Sequence, residues 1–234
     1  MNFHNTIRAG AALLAITSAG AALAADPVRS NEVRLGMYFV KFDVKANPLS
    51  GDFIPPGYNL NIDNNNVNTP YFAYVRRLTP HFIGQLAAGV PPKTEIVGKG
   101  SATVGSAPFN GVVLATARWF SPTVLLNYVF RDESATWRPY LGVGVNFTHF
   151  FSRQATAAGQ AVLGGPTKIS LTNSVGPAVT AGVTWRFQDR WHVYASYDYA
   201  RVNSDAVTNT AGAVRRTSVK FNPYTVVVSV GYAF

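Results

Sequence analysis

Side chains able to do acid–base, nucleophilic or metal chemistry are sparse in this sequence. There is no cysteine, and beyond the first 25 residues the only histidines are His81, His149 and His192. Lack of cysteine excludes a disulfide framework and any cysteine-ligated zinc or iron–sulfur centre. The three histidines share no ligand spacing, so neither a metal site nor a cofactor is expected. His192, Ser196 and Asp198 fall on one face of an alternating run and invite a hydrolase reading. Four residues of strand span about 13 Å at ~3.3 Å per residue, whereas a nucleophile and its base must approach to about 2.6–3.2 Å. These three residues therefore cannot form a triad within one strand. A lipid-modifying enzyme would have to combine residues across strands, with His149 and Ser152 near one rim as an example. Gly142-x-Gly144 is followed by no helix and is not a phosphate loop. The chemistry points away from an enzyme.

The elements that carry these residues read as strands. Residues 1–24 hold Arg8, a short run of small apolar residues and Ala22-Leu23-Ala24, the pattern of a secretion leader cleaved after Ala24 or Ala25. Residues 25–234 then form a single domain. That domain has 19 basic and 11 acidic residues, a formal charge of +8. An exported basic chain meets anionic membrane surfaces rather than nucleic acid. Aromatics make up 13% and charged residues 13%, the latter about half the ~25% of ordinary globular proteins. Past the leader no apolar run nears the ~18 residues of a membrane helix, so a membrane-spanning form must use strands.

Period-2 alternation recurs along the chain. Tyr224, Val226, Val228, Val230, Tyr232 and Phe234 oppose Thr225, Val227, Ser229, Gly231 and Ala233. Similar two-faced runs occupy Val33–Phe39, Val124–Phe130, Pro139–Phe151, Ile169–Phe187 and Trp191–Tyr199, with less contrast at 67–77 and 81–90. That makes eight segments. The connections at 78–80, 132–136 and 188–190 are short, while those at 45–66, 91–110, 152–168 and 203–218 are long. The expected fold is all-β: an eight-stranded antiparallel up-and-down transmembrane β-barrel with short periplasmic turns and both termini on that side. Trp137, Trp185 and Trp191 sit beside the short turns and form an interfacial girdle. Pro122 and Pro177 remove ladder donors, so each marks a bulge, a strand start or a stretch above the membrane.

Alternation assigns the interior. On the fifth segment Tyr140, Gly142, Gly144, Asn146 and Thr148 line the lumen. The sixth adds Thr180, Gly182 and Thr184, the seventh Ser196 and Asp198, and the last Ser229 and Gly231. Small residues here leave room for a path, which Tyr140, Tyr194 and Arg186 would fill again. Arg34, Arg131 and Arg186 fall at the periplasmic mouth. Tyr232 and Phe234 point outward on the last strand, where they form a recognition signal for the barrel-assembly machinery.

The segment Arg138–Phe151, RPYLGVGVNFTHFF, together with Ser121-Pro122-Thr123-Val124 and the final Gly231-Tyr232-Ala233-Phe234, resembles the OmpW family of small outer-membrane barrels. The resemblance covers most of the chain after the leader. It departs at Asn173-Ser174-Val175-Gly176, where the family often has Asp-Ser-Trp-Gly, and in a longer 91–120 stretch. The resemblance implies a narrow, partly apolar lumen that admits small hydrophobic molecules and releases them sideways into the membrane. Two functions remain open: a passive conduit or binding channel for such solutes, and a solid barrel acting through its loops in adhesion, reception or membrane integrity. The expected partners are outer-membrane lipid, lipopolysaccharide, the assembly machinery and small hydrophobic solutes. Lysines and arginines outnumber acids in the long loops, with Arg215 and Arg216 foremost for lipopolysaccharide phosphates.

Overall fold

Strands with one large apolar face and one small face can bury neither face alone, and closing the sheet gives each face its own surroundings. The computed structural model describes residues 29–54, 61–100, 103–104 and 107–234. The expected leader and its cleavage site lie outside these residues. Eight strands form the wall: β1 (Asn31–Phe42), β2 (Val67–Arg77), β3 (Phe82–Gly89), β4 (Thr123–Val129), β5 (Trp137–Ala155), β6 (Ser174–Arg186), β7 (Trp191–Ala200) and β8 (Pro223–Ala233). Every neighbouring pair is antiparallel. The sheet runs in chain order, β1 pairs with β8 (Met37 opposite Val228), and β4 pairs with β5 (Leu125 opposite Gly144), so the barrel is closed.

The outward faces are apolar. Leu35, Val124, Leu141, Val145, Val226, Val228 and Val230 are all exposed, as are Phe72 and Tyr197. Such a belt in water would be a large apolar patch; around a closed barrel it is the surface that lipid covers. Trp137 stacks on Trp185 with centroids 5.6 Å apart, and Trp191 packs on Tyr232 at 5.0 Å, all at the end that carries the short turns. Among the described residues no helix is long and apolar enough to cross a membrane.

The opposite end differs from the loops expected there. The wall continues upward in short strands. Asn61–Asn64, Lys93–Lys99, Val113–Phe120 and the far half of β5 form one sheet. Thr167–Leu171, Asn203–Thr210, Ala213–Lys220 and Lys45–Ala46 form another. The long connections at 45–66, 91–110, 152–168 and 203–218 are thus largely ordered hairpin structure in their described parts, and the single run expected at 169–187 is interrupted at Thr172-Asn173. A helix, α1 (Ala157–Leu163), starts where the Thr156 hydroxyl accepts from the Gly159 amide (2.9 Å) and stops at Gly164, whose φ of +94° suits glycine. Pro122 precedes the first residue of β4, and its carbonyl accepts from Phe147 N (2.9 Å). Pro177 lies within β6 opposite Val145, and its carbonyl accepts from Arg201 N (3.0 Å).

Val143 is 64% exposed on the lipid face of β5, next to the inward Gly144–Leu125 pair. Val143→Arg should cost about 2–4 kcal/mol if it sits near the bilayer midplane. Reversible urea unfolding in lipid vesicles measures this, and an unchanged midpoint would place residue 143 in the interior instead.

Candidate functional site

Inside the wall the structure divides into three zones. The middle zone is a septum of hydrogen-bonded polar side chains. Arg34, only 2% exposed, donates from Nε to Glu32 (2.7 Å) and from Nη1 to Gln85 Oε1 (3.2 Å). Its guanidinium lies 3.5 Å from the centroid of the Tyr194 ring, and Tyr194 Oη donates to the other Glu32 oxygen (2.6 Å). Gln85 Oε1 also accepts from Asn127 Nδ2 (3.0 Å), while Gln85 Nε2 donates to Tyr71 Oη (3.2 Å). Tyr71 meets Tyr38 edge-on at 4.7 Å. Burying a cation is costly unless it is paired and hydrogen-bonded, and Arg34 has both.

The inward glycines belong to this packing. A Cβ on Gly142 would meet Asn127 and Thr180, one on Gly182 would meet the Tyr140 ring, and one on Gly231 would meet Glu32 and Tyr194. The space that each glycine leaves is filled from the neighbouring strand, so these glycines do not mark an open path. Gly144 faces the backbone of Val124 and Leu125, and a side chain there would push β4 from β5.

Toward the hairpin end lies a cavity of about 70 Å³ bordered by Tyr38, Ala87, Gly89, Trp119, Leu125 and Ala178, with Asn146, Ser121, Thr123 and Asp198 as its polar margin. Asn146 donates to Ser121 Oγ and Thr123 Oγ1, both at 2.8 Å, and accepts from Thr148 Oγ1 at 2.8 Å. Asp198 accepts from Thr180 Oγ1 at 2.5 Å. Ser196 also hydrogen-bonds Asp198, so hydroxyls rather than an imidazole serve this carboxyl, and His192 stays apart farther along β7. Higher still, a second cavity of about 70 Å³ is almost wholly apolar, walled by Leu49, Ile62, Ile96, Phe109, Leu114 and Leu163 among others. An aromatic constriction separates the two: Phe42 lies edge-on to Trp119 at 6.1 Å, and Phe150 packs on Phe221 at 5.5 Å.

Beside the lower cavity the wall is not fully laced. The ladder between β3 and β4 ends at Ala87 opposite Thr123 and resumes at Lys93 opposite Arg118. Pro91, Pro92 and Pro122 in the interval have no N–H to offer. Trp119 Nε1 bridges the interval, donating to Thr94 Oγ1 (2.8 Å).

Below the septum a vestibule of about 890 Å³ opens at the turn end. Arg34 and Arg186 border it. Arg131 does not: it sits exposed in the 130–136 turn with φ +64° and donates to the Trp137 carbonyl (3.4 Å), so it lies outside the mouth lining where alternation had put it. Turn geometry breaks the period-2 rule there. Arg77 and Arg138 line the vestibule instead. Arg190, in the exposed turn before β7, donates to Tyr232 Oη (3.0 Å), which holds its guanidinium above its ordinary value. Thr184 also borders the vestibule, Ser229 Oγ is buried without a partner among the described residues, and Phe234 is half exposed at the vestibule rim. Alternation had not singled out Glu32, Tyr38, Tyr71, Gln85 or Asn127. The signal available was a polar residue at an inward position of an otherwise apolar strand, as with Asn127 in Thr123–Val129.

A profile of the OmpW family matches residues 33–234. Outer membrane protein W of Vibrio cholerae serotype O1 is 31% identical over 113 residues, covering 48% of this chain and 51% of that protein, so the chain spans about half the length of this relative. The dibenzothiophene metabolism operon protein DoxH of a Pseudomonas species is 26% identical over 204 residues, covering 86% and 87% respectively. Among solved structures, the crystal structure of the outer membrane protein OprG from Pseudomonas aeruginosa superposes with a TM-score of 0.77 at 20% identity, covering 88% of this chain and 95% of that one.

Removing one member of the septum's ion pair should destabilise the barrel. Glu32→Gln leaves Arg34 buried without its carboxylate and should cost about 2–4 kcal/mol, somewhat below a fully dry pair because Glu32 borders the wet vestibule. Adding Arg34→Met should restore much of that loss. Urea unfolding of both variants tests it, and a double variant no better than the single one would contradict it.

Proposed function

Since the chain belongs to the OmpW family of bacterial outer-membrane barrels, we propose that it binds small, mainly hydrophobic molecules at its hairpin end and passes them sideways through the wall. The carrying observation is a pair of apolar-walled cavities above a hydrogen-bonded septum, the lower of them beside the unlaced β3–β4 interval. A solute in the lower cavity meets Arg34, Gln85 and Asn127 if it moves toward the turns, and meets a wall without ladder bonds if it moves outward. Apolar solute favours lipid over a polar septum by roughly 25 cal/mol per Å² of apolar surface. A relative named for a dibenzothiophene operon supports a flat aromatic hydrocarbon or its sulfur analogue as the solute class.

In this reading residues 1–24 are the leader, residues 25–234 the mature barrel, and the turn end with both termini is periplasmic. The hairpins face outward, where Arg215 and Arg216 meet lipopolysaccharide phosphates. Tyr232 and Phe234 form the assembly signal. The chain performs no catalysis; it lowers the barrier for solute to cross the polar outer surface.

Ala178 is buried at the edge of the lower cavity, and its enlargement occupies that space. Ala178→Leu should reduce uptake of a dibenzothiophene tracer severalfold relative to the parent at matched abundance, with a folding cost of about 1–3 kcal/mol or less. The comparison is between cells lacking the protein, cells expressing it and cells expressing the variant. Equal uptake in all three would reject the conduit and favour a barrel that acts through its hairpins.

A further inference from the structure

The turn-end vestibule has an electrostatic character that passage of hydrophobic solute does not use. Six guanidiniums line it, from Arg29, Arg34, Arg77, Arg138, Arg186 and Arg190, against the carboxylates of Glu32, Glu133 and Asp189, with the terminal residue Phe234 also at the rim. Arg34 is neutralised by Glu32 at 2.7 Å and Arg77 by Glu133 at 2.7 Å. Arg138 and Arg186 have no carboxylate partner among the described residues. They are held instead by main-chain carbonyls. Arg186 donates to Glu133 O (3.0 Å) and Ser134 O (2.7 Å), and Arg138 donates to Pro80 O (2.8 Å) and Arg131 O (3.3 Å). Arg138 Nε is buried with no hydrogen-bond partner among the described residues.

Carbonyls fix a guanidinium in place without cancelling its charge. Arg138 and Arg186 lie on adjacent strands, since Arg138 pairs with Thr184 and Arg186 follows two residues on along the same face. The like charges of Arg77 and Arg186 both act on Arg138, and the Glu133 carboxylate offsets them in part. Arg77 and Arg186 thus meet at Glu133, Arg77 on its carboxylate and Arg186 on its main-chain carbonyl, with Arg138 beside them. Planar forks with unused N–H groups match the oxygens of a multivalent oxyanion, and phosphate meets this geometry bidentately. Water at the open mouth screens the attraction, so binding should weaken steeply with salt.

We propose that the vestibule is a phosphate-class anion site, with Arg138 and Arg186 as its principal ligands and Arg77 completing the cluster. It is separate from the apolar cavities, because the Glu32–Arg34–Gln85–Asn127 septum lies between them. Its ligand chemistry is a phosphate group, carried either by a soluble anion that enters the mouth or by an anionic lipid headgroup at the rim.

The test is isothermal titration of inorganic pyrophosphate into the full barrel in nanodiscs at low salt. In phosphatidylcholine discs the parent should bind saturably and weaken about tenfold or more between roughly 20 mM and 200 mM salt, as the Debye length shortens. Arg138→Gln with Arg186→Gln should weaken binding at least tenfold, while Arg153→Gln, at the hairpin end, should leave it unchanged. If the double glutamine variant does not refold, Arg138→Lys with Arg186→Lys keeps the charge and should lose severalfold through the missing forks. Discs containing phosphatidylglycerol identify the source: unchanged pyrophosphate binding means a soluble anion, and suppressed binding means that the headgroup occupies the same cluster. Absence of saturable binding to the parent in phosphatidylcholine, or equal binding by a folded double variant, would overturn the proposal.

Discussion

A backbone amide facing hydrocarbon has no water to bond with, and each unmet group costs several kcal/mol. That constraint dictates closure: β4 must pair with β5 and β1 with β8, or the sheet would present two unpaired edges to lipid. Closure at eight strands leaves an interior just wide enough for side chains. Large apolar groups are therefore turned out to lipid, and small or polar groups turned in. Where a large group does point inward, a glycine on the next strand receives it, as Gly182 receives Tyr140 and Gly231 receives Tyr194.

The same narrowness separates the molecule into two compartments. Arg34 could not be buried alone, so Glu32, Gln85 and Tyr194 gather around it, and Asn127 and Tyr71 join through Gln85. The resulting septum separates apolar cavities from a cationic vestibule. A transmembrane passage along the axis would have to dismantle a buried ion pair. A passage through the wall crosses only the interval between Ala87–Thr123 and Lys93–Arg118, where proline has already removed donors.

The wall was legible in the sequence because its signal is strong. Each spanning strand alternates between faces that meet different surroundings, as in Tyr224–Phe234, and the short turns punctuate it. The hairpin end was not legible. Asn203–Thr210 and Ala213–Lys220 pair mainly with each other and with equally polar neighbours, so their faces hardly differ and period 2 fades. The helix left a cap signature at Thr156 and Gly164, but seven residues carry too little periodicity to stand out. Of the interior, alternation assigned the facing of Gly142 or Ser196 readily. It could not reveal that Asn127 fills the space over Gly142, because that depends on the register between β4 and β5. Arg131 was misplaced because a left-handed residue in a turn no longer follows the strand's period.

The proposed function requires solute to leave through the wall between β3 and β4. The chain has no cysteine, so Val90→Cys with Phe120→Cys places one thiol on each outer lip of the interval, and a short reducible bis-thiosulfonate can bridge them. The measurement is uptake of an aromatic hydrocarbon tracer by proteoliposomes or cells carrying the bridged protein, before and after reduction. Lateral release predicts that the bridge abolishes uptake and that reduction restores it. Undiminished uptake through the bridged barrel would rule out this exit.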